Sequence, residues 1–374
     1  MTTRFPPPDG WPRLEPEDAG ISAPLLQEAV EFAKANESDW PHSLFLSDGR
    51  YVGNAYVEDQ PPHDKPLGVV RPRGSANGLI LRRGQLVAEW GDTVRPDTTF
   101  SAAKSYLGLL AGIALDEGLI DSVDDPVARY MPPEDTGFSS DQNRPITWRH
   151  LLQQTSEWRG TLWGIPDSVD HNRRFGSGDN PRLPASIRDP EPPGTRWEYN
   201  DVRVNRLSLS LLHVFREPLP DVLRKRLMDP TGASRGWEWH GYANSVIAVQ
   251  GRPMVSVSGG GHWGGGLFIS TRDHARVGLL VQNQGQWNGR KLISKDWMEA
   301  LAQPAAANPL YGFLWWLNTA RELYPSAPAS SLFAIGGGHH LVWVDLEHEL
   351  VMVARWVAQP KCDELVARVM QSLR

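Results

Sequence analysis

The sequence predicts an α/β fold, an antiparallel sheet flanked by helices and built from both ends of the chain, with an all-helical domain inserted between them. Three observations predict it. Strand-like apolar runs flank a glycine turn near residues 78–90. Similar runs return only after residue 244, and the stretch between carries helical spacing cut by Pro-rich loops. Strands so far apart in sequence pair most simply if residues 1–119 and 236–374 form one discontinuous domain and residues 120–235 form another.

Each element has its own signal. The first twenty residues are proline-rich and expected to be extended. Residues 23–36 show helical spacing through Leu25, Leu26, Ala29, Val30, Phe32 and Ala33, with Ser22 placed to cap. Residues 37–75 are rich in Pro, Asp and Gly and read as a long irregular segment. Residues 78–81 and 85–90 then form a hairpin through Arg82-Arg83-Gly84. Thr147 caps a short helix that breaks at Thr155-Ser156, and residues 201–215 and 219–228 are helical before Asp229-Pro230-Thr231-Gly232. Strands are expected at 244–249, 254–258, 267–270, 313–317, 341–345 and 350–357. Helices are expected from Thr271, closed by Gly285, and at 364–373.

Composition removes several classes of function. Lys+Arg 38 against Asp+Glu 44 gives a net charge of −6 with the basic residues scattered, which disfavours a nucleic-acid or anionic-membrane surface. A lone cysteine, Cys362, excludes an internal disulfide. The start, MTTRFPPPDGWPRLEPED, lacks the apolar core of a secretory signal, and the apolar run 107–115 is too short to cross a bilayer. A soluble, cytoplasmic protein is expected. Its 16 Trp read first as core or domain-seam filler.

The chain is organised around TTFSAAKSYLGLLAGIALDEG, residues 98–118. Ser101 and Lys104 stand three apart at the start of a buried helix that Gly118 ends. In the first helical turn, unpaired N–H groups and the positive end of the helix dipole favour negative charge beside Ser101. Lys104 follows on the same face. A hydroxyl needs a partner to take its proton, and a lysine out of water is one candidate. The pair alone also describes a core helix with a serine cap and a snorkelling lysine. With seven Lys in the chain, roughly 0.4 such pairs arise by chance.

Two more stretches make a constellation. Pro193-Gly194-Thr195-Arg196-Trp197-Glu198-Tyr199-Asn200-Asp201 is a turn exposing Tyr199 before a helix. Phe333-Ala334-Ile335-Gly336-Gly337-Gly338-His339-His340 precedes an apolar strand, and its glycines allow backbone N–H groups to approach a ligand.

On FSAAKSYLGLL, ITWRHLLQQTSEW, PGTRWEYND, WGGGLFISTRDHARVG and FAIGGGHHLVWVD, in that order, the chain resembles the serine β-lactamase and penicillin-binding-protein superfamily. The likeness is to the class C-like branch of family VIII carboxylesterases, D-aminopeptidases and nylon-oligomer amidases. It implies a β-lactamase/transpeptidase-like fold with the active site between the two domains, and an acyl-enzyme mechanism. It also implies Ser101 as nucleophile, Lys104 and Tyr199 as proton-handling partners, and the N–H groups of Ser101 and His339 as the oxyanion hole. Tyr and Lys both ordinarily titrate near 10, so either must be brought down by roughly 3 pH units to act as base near neutrality.

Two departures from the family pattern matter. Asp201 stands at the third position of the family's Tyr-x-Asn, and an acid beside Lys104 favours a charged lysine and a tyrosine base. Gly336-Gly337-Gly338 stands where β-lactamases carry Lys-Thr-Gly, so the cation that recognises a substrate carboxylate is missing and weak or absent β-lactamase activity is expected. Trp158, Trp163 and Trp263 lie in loops that the resemblance puts near the cleft, where they could line an acyl or aryl pocket, although core or seam packing is the first expectation for any one of them. Gly338 and His340 are further candidates for substrate binding or support.

Gly259-Gly260-Gly261-His262-Trp263-Gly264 fits a dinucleotide fingerprint by letter, but a strand rather than a helix follows it. No H-E-x-x-H occurs. No cofactor and no metal are expected. The expected partner is a small-molecule ester or amide, cleaved by a serine hydrolase. An amidase, a D-stereospecific peptidase, an acyltransferase and a catalytically inactive binding or assembly protein stand as alternatives, and the oligomeric state is open.

Overall fold

The computed structural model describes residues 4–8, 10–55, 61–171, 188–261 and 263–374. In chain order it contains α1 (Ala23–Ala35), α2 (Val52–Ala55), β1 (Asn77–Arg82), β2 (Gln85–Trp90), β3 (Asp97–Thr98), α3 (Ala103–Asp116) and α4 (Trp148–Leu152). These are followed by β4 (Thr161–Leu162), β5 (Ile165–Pro166), α5 (Asp201–Phe215), α6 (Leu219–Leu223), α7 (Asp229–Thr231), β6 (Glu238–Val249), β7 (Arg252–Val257) and β8 (Gly266–Ile269). The last third supplies α8 (Thr271–Gln282), β9 (Gln286–Trp287), β10 (Arg290–Lys291), α9 (Lys295–Leu301), β11 (Trp316–Leu317), β12 (Leu332–Gly336), β13 (His340–Asp345), β14 (Leu350–Arg355) and α10 (Cys362–Ser372).

The main sheet runs β11-β12-β13-β14-β1-β2, antiparallel throughout, and joins strands from both ends of the chain. Its central strands are buried at every position because both faces are covered. Leu79 and Leu81 point into the core shared with α3, α5 and α8, while Ile80 between them joins Met352 and Trp343 against α1 and α10. A second sheet, β3-β8-β6-β7, carries the approach to residue 101. It was not separately foreseen.

Several expected boundaries shift. Residues 120–235 are not purely helical: β4 and β5 form a hairpin turning through Trp163 (φ 54°) and Gly164 (φ 82°). The strand expected at 313–317 shrinks to Trp316–Leu317, because Leu314 at φ 59° cannot continue an extended backbone. Helix α9 and strand β12 carry signals that the pattern reading missed. Ser22 precedes α1 without a side-chain cap bond, whereas Thr147 caps α4 as expected. The irregular segment after α1 has a small core of its own, where Trp40, Leu44, Tyr51 and Val52 pack on Phe100 and Trp356. Part of the loop between Glu157 and Pro193, residues 172–187, lies outside the described residues, as does His262 of the glycine-rich run.

Candidate active site

The nucleophile candidate sits on a distorted lead-in to α3. Thr98 ends β3, and Phe100 takes φ 46°, a left-handed conformation that an aromatic residue adopts only under constraint. The constraint comes from below. The buried Arg355 guanidinium donates to Thr98 O (2.6 Å), Ile269 O (2.5 Å) and His340 Nδ1 (3.0 Å), and burial pushes it down to about 10. His274 bridges the Thr99 hydroxyl (2.8 Å) and the Tyr106 hydroxyl (2.9 Å). Burial holds its imidazole well below the usual histidine range.

Ser101 is half-buried and Lys104 is 1% exposed. One helical turn brings them together: Lys104 Nζ donates to Ser101 Oγ at 2.8 Å. The same ammonium forms an ion pair with Asp201 Oδ1 at 2.5 Å and lies over the Tyr199 ring, 4.8 Å from its centroid. Ser101 Oγ in turn donates to Gly260 O at 3.3 Å. Lys104 of α3 and Gly260 of the turn before β8 therefore meet at one hydroxyl, while Tyr199 and Asp201 meet at the Lys104 ammonium.

The tyrosine loop is clasped by the segment after α4. Glu198 N–H donates to Gln154 O (3.0 Å), Asn200 N–H to Gln154 Oε1 (2.7 Å), and Gly194 N–H to Thr155 O (2.8 Å). Asn200 caps α5 by accepting from Arg203 N–H, and Asp201 N–H donates to Asp170 Oδ2 at 2.8 Å. Beneath it, Arg203 and Arg188 gather three carboxylates. Arg203 reaches Glu157 (3.0 Å), Asp167 (3.1 Å) and Glu198 (3.2 Å), while Arg188 holds Glu157 (2.5 Å) and Glu198 (3.1 Å). Burial alone would raise the Glu157 carboxyl, but the Arg188 bonds, the Arg203 charge and the Glu191 N–H outweigh it and bring it to about 2. Around Tyr199 stand Trp316, stacked at 5.7 Å, with Tyr311 and Trp197 edge-on or tilted.

The glycine run 336–338 closes the site from the sheet. A Cβ on Gly336 would stand 2.1 Å from Thr99 O, so only glycine lets β12 lie this close to the lead-in to Ser101. Gly338 (φ 71°) is needed because a side chain would strike Trp356.

One expected site role needs correction, and three further candidates resolve to support or core packing. The His339 N–H, expected in an oxyanion hole, instead donates to Gly336 O at 3.1 Å, because β12 and β13 are joined by a tight turn with His339 at φ 66°. Its ring packs edge-on to Trp40, and burial pushes it down to about 4. His340 does not face a ligand. It is 1% exposed, accepts from Arg355 and packs between Phe100 and Trp356, so it supports the lead-in from beneath. Trp158 (2% exposed) donates to Gly137 O, and Trp263 (0% exposed) packs near Tyr242, so both are core rather than pocket lining. Trp163 is half-buried in the β4–β5 turn, its carbonyl accepting from Asn244. Gly260 is the contributor that pattern reading passed over, set aside with the dinucleotide-like run. Its signal was three glycines directly after a serine at the end of a strand.

With this geometry in place, comparison with known proteins gives a consistent picture. Residues 72–362 match the family model described as Beta-lactamase. Among solved structures, the chain is similar to a family VIII carboxylesterase, with 16% identity, 95% of this chain and 99% of that one covered, and a TM-score of 0.59. It is similar to EstCE1, a hydrolase with promiscuous acyltransferase activity, at 18% identity, 80% and 93% coverage and a TM-score of 0.55. A D-stereospecific amidohydrolase from Streptomyces sp. matches at 18% identity, 78% and 92% coverage and a TM-score of 0.53. At these identities the structural likeness is one of fold. No curated protein matches the chain. Among the described residues, no helix is long and apolar enough to cross a membrane.

Proposed function

The chain belongs to the Beta-lactamase family, and from that premise we propose that it is a serine hydrolase cleaving esters or small amides through a covalent acyl-enzyme on Ser101. The observation that carries this reading is the 2.8 Å bond from Lys104 Nζ to Ser101 Oγ, made by an ammonium already paired with Asp201 and lying on Tyr199.

In this reading Ser101 Oγ attacks the substrate carbonyl carbon while its proton passes to the Tyr199 oxygen, which then returns it to the departing alcohol or amine. Water repeats the sequence in the second half-reaction and releases the acid. Lys104 serves as a charge, not a base. It donates to Ser101 and is held by Asp201, so it stabilises the anionic forms of Ser101 and Tyr199. The backbone of Ser101 and the glycine run 336–338 are the proposed sources of oxyanion donors, each worth about 3 kcal/mol when aimed at the developing charge. The corner where a substrate carboxylate would need a cation holds Gly337 beside Trp40 and a neutral His339, which favours uncharged acyl groups over β-lactams.

Fluorophosphonate labelling followed by mass spectrometry tests the reading, with a panel of aryl esters, amides and a chromogenic cephalosporin. Label is expected on Ser101, lost in Ser101→Ala, with short-chain aryl esters turned over faster than the cephalosporin. An unlabelled folded protein would point to a binding role, and the reverse substrate ranking would overturn the substrate assignment.

A further inference from the structure

The run 258–261 is tied into the nucleophile by a chain of buried bonds that the proposed mechanism leaves unused. Gly260 (φ 83°) lies so close to the start of α3 that a Cβ there would stand 2.0 Å from Phe100 O and 2.9 Å from Ser101 Cα. Its carbonyl accepts the Ser101 hydroxyl. The next link is Ser258, 0% exposed, whose Oγ accepts the N–H groups of Gly260 (3.1 Å) and Gly261 (3.3 Å). Ser258 Oγ is also bonded to the Tyr242 hydroxyl at 2.7 Å. Asn205, on α5 four residues after Asp201, completes the set: its amide donates to the Tyr242 oxygen (3.1 Å) and its carbonyl accepts the Gly259 N–H (2.9 Å).

Resting on the hydrolase reading above, we infer that Asn205, Tyr242 and Ser258 are positioning residues that set the rotamer of the nucleophile through the Gly260 carbonyl. Ser101 Oγ is then held at two points, donating to Gly260 O and accepting from Lys104 Nζ, which fixes where its attacking lone pair points. In the resting enzyme the hydroxyl proton is turned toward Gly260 O. Attack requires it to leave that acceptor for the base, with no covalent bond to the turn made or broken. Burial keeps the Tyr242 phenol protonated, because it pushes that group far above its ordinary range. The set is therefore a neutral scaffold, not a second base. It also links α5 to the nucleophile, since one helix bears Asp201 at its first residue and Asn205 one turn on.

The test is Ser258→Ala, with Ser258→Thr as the conservative variant and Tyr242→Phe as a second approach should Ser258→Ala fail to fold. In folded Ser258→Ala or Tyr242→Phe, the fluorophosphonate labelling rate at Ser101 and kcat on an aryl ester are expected to fall about tenfold or more with KM changed less than about twofold. Ser258→Thr, which keeps the hydroxyl, should recover most of the rate. A crystal structure of the slowed variant should show Ser101 Oγ rotated away from Gly260 O. Wild-type labelling rates in a folded variant, or an unchanged Ser101 rotamer, overturn the inference. If the wild-type protein is never labelled, the hydrolase reading fails, and the rotamer alone then decides whether the turn positions Ser101.

Discussion

Lys104 Nζ and Asp201 Oδ1 stand 2.5 Å apart with both side chains 1% exposed, an ion pair removed from water beside Ser101. Neither charge is tolerable alone in that setting. Asp201→Ala, which strands the ammonium, is expected to destabilise the protein by about 3–5 kcal/mol. Replacing both partners with apolar residues, Lys104→Met with Asp201→Leu, should recover much of that stability while abolishing fluorophosphonate labelling. Urea denaturation of the single and double variants measures both parts. A double variant no more stable than Asp201→Ala would remove the ion-pair account.

Tyr199 carries the base role in the proposed mechanism, since Lys104 acts as a donor to Ser101. Tyr199→Phe keeps the ring beneath Lys104 and its stacking on Trp316. Single-turnover acylation by an aryl ester is expected to slow by at least about 100-fold with little change in melting temperature. Near-normal acylation would return the base role to lysine or to the substrate.

Glu157 makes stability fall in acid. Its carboxyl lies near 2 in the folded protein against an ordinary 4.5, so between those values the unfolded chain binds more protons than the native one. The stabilisation is fully present above about pH 4.5 and is lost as pH falls toward 2. Urea midpoints measured from pH 6 downward should decline through this window. In Glu157→Gln, less stable at pH 7 because Arg188 and Arg203 lose a partner, the decline should be shallower.

His339 acts at higher pH. Its imidazole is held near 4 against an ordinary 6.5, and the native state resists protonation while the unfolded chain accepts it. Stability is full above about pH 6.5 and decreases as pH falls toward 4. His339→Asn keeps a residue that tolerates φ 66°. It should flatten the pH dependence of the unfolding free energy in this range by about one proton, and parallel curves for wild type and variant would contradict the assignment.

Gly336→Ala probes the approach of β12 to the lead-in to Ser101. The added methyl has Thr99 O at 2.1 Å, so the strand or the Ser101 loop must move. Loss of labelling at Ser101 is expected, with a lower melting temperature. Gly118→Ala, where nothing lies within 4 Å but φ is 69°, should cost stability without slowing the labelling of the folded fraction.

What the sequence determined by itself rests on short-range periodicity and on the order of motifs. Ser101 and Lys104 share a face because three residues make about one turn of the 3-10 lead-in that continues into α3, and residues 201–215 form α5 as their spacing predicts. The family could be recognised from five motifs in order. Tertiary structure decided the contacts made by chain segments far apart in sequence. The Gly260 carbonyl meets Ser101 across 159 residues, and Arg355 reaches Thr98 across 257. Whether the His339 N–H faces a ligand or closes a turn depended on where β12 ends, and Trp158 and Trp263 could be assigned to the core only once their surroundings were known. Local sequence sets which dihedrals are easy. Long-range packing then chooses among them, and it holds strained residues such as Phe100 where no local preference would put them.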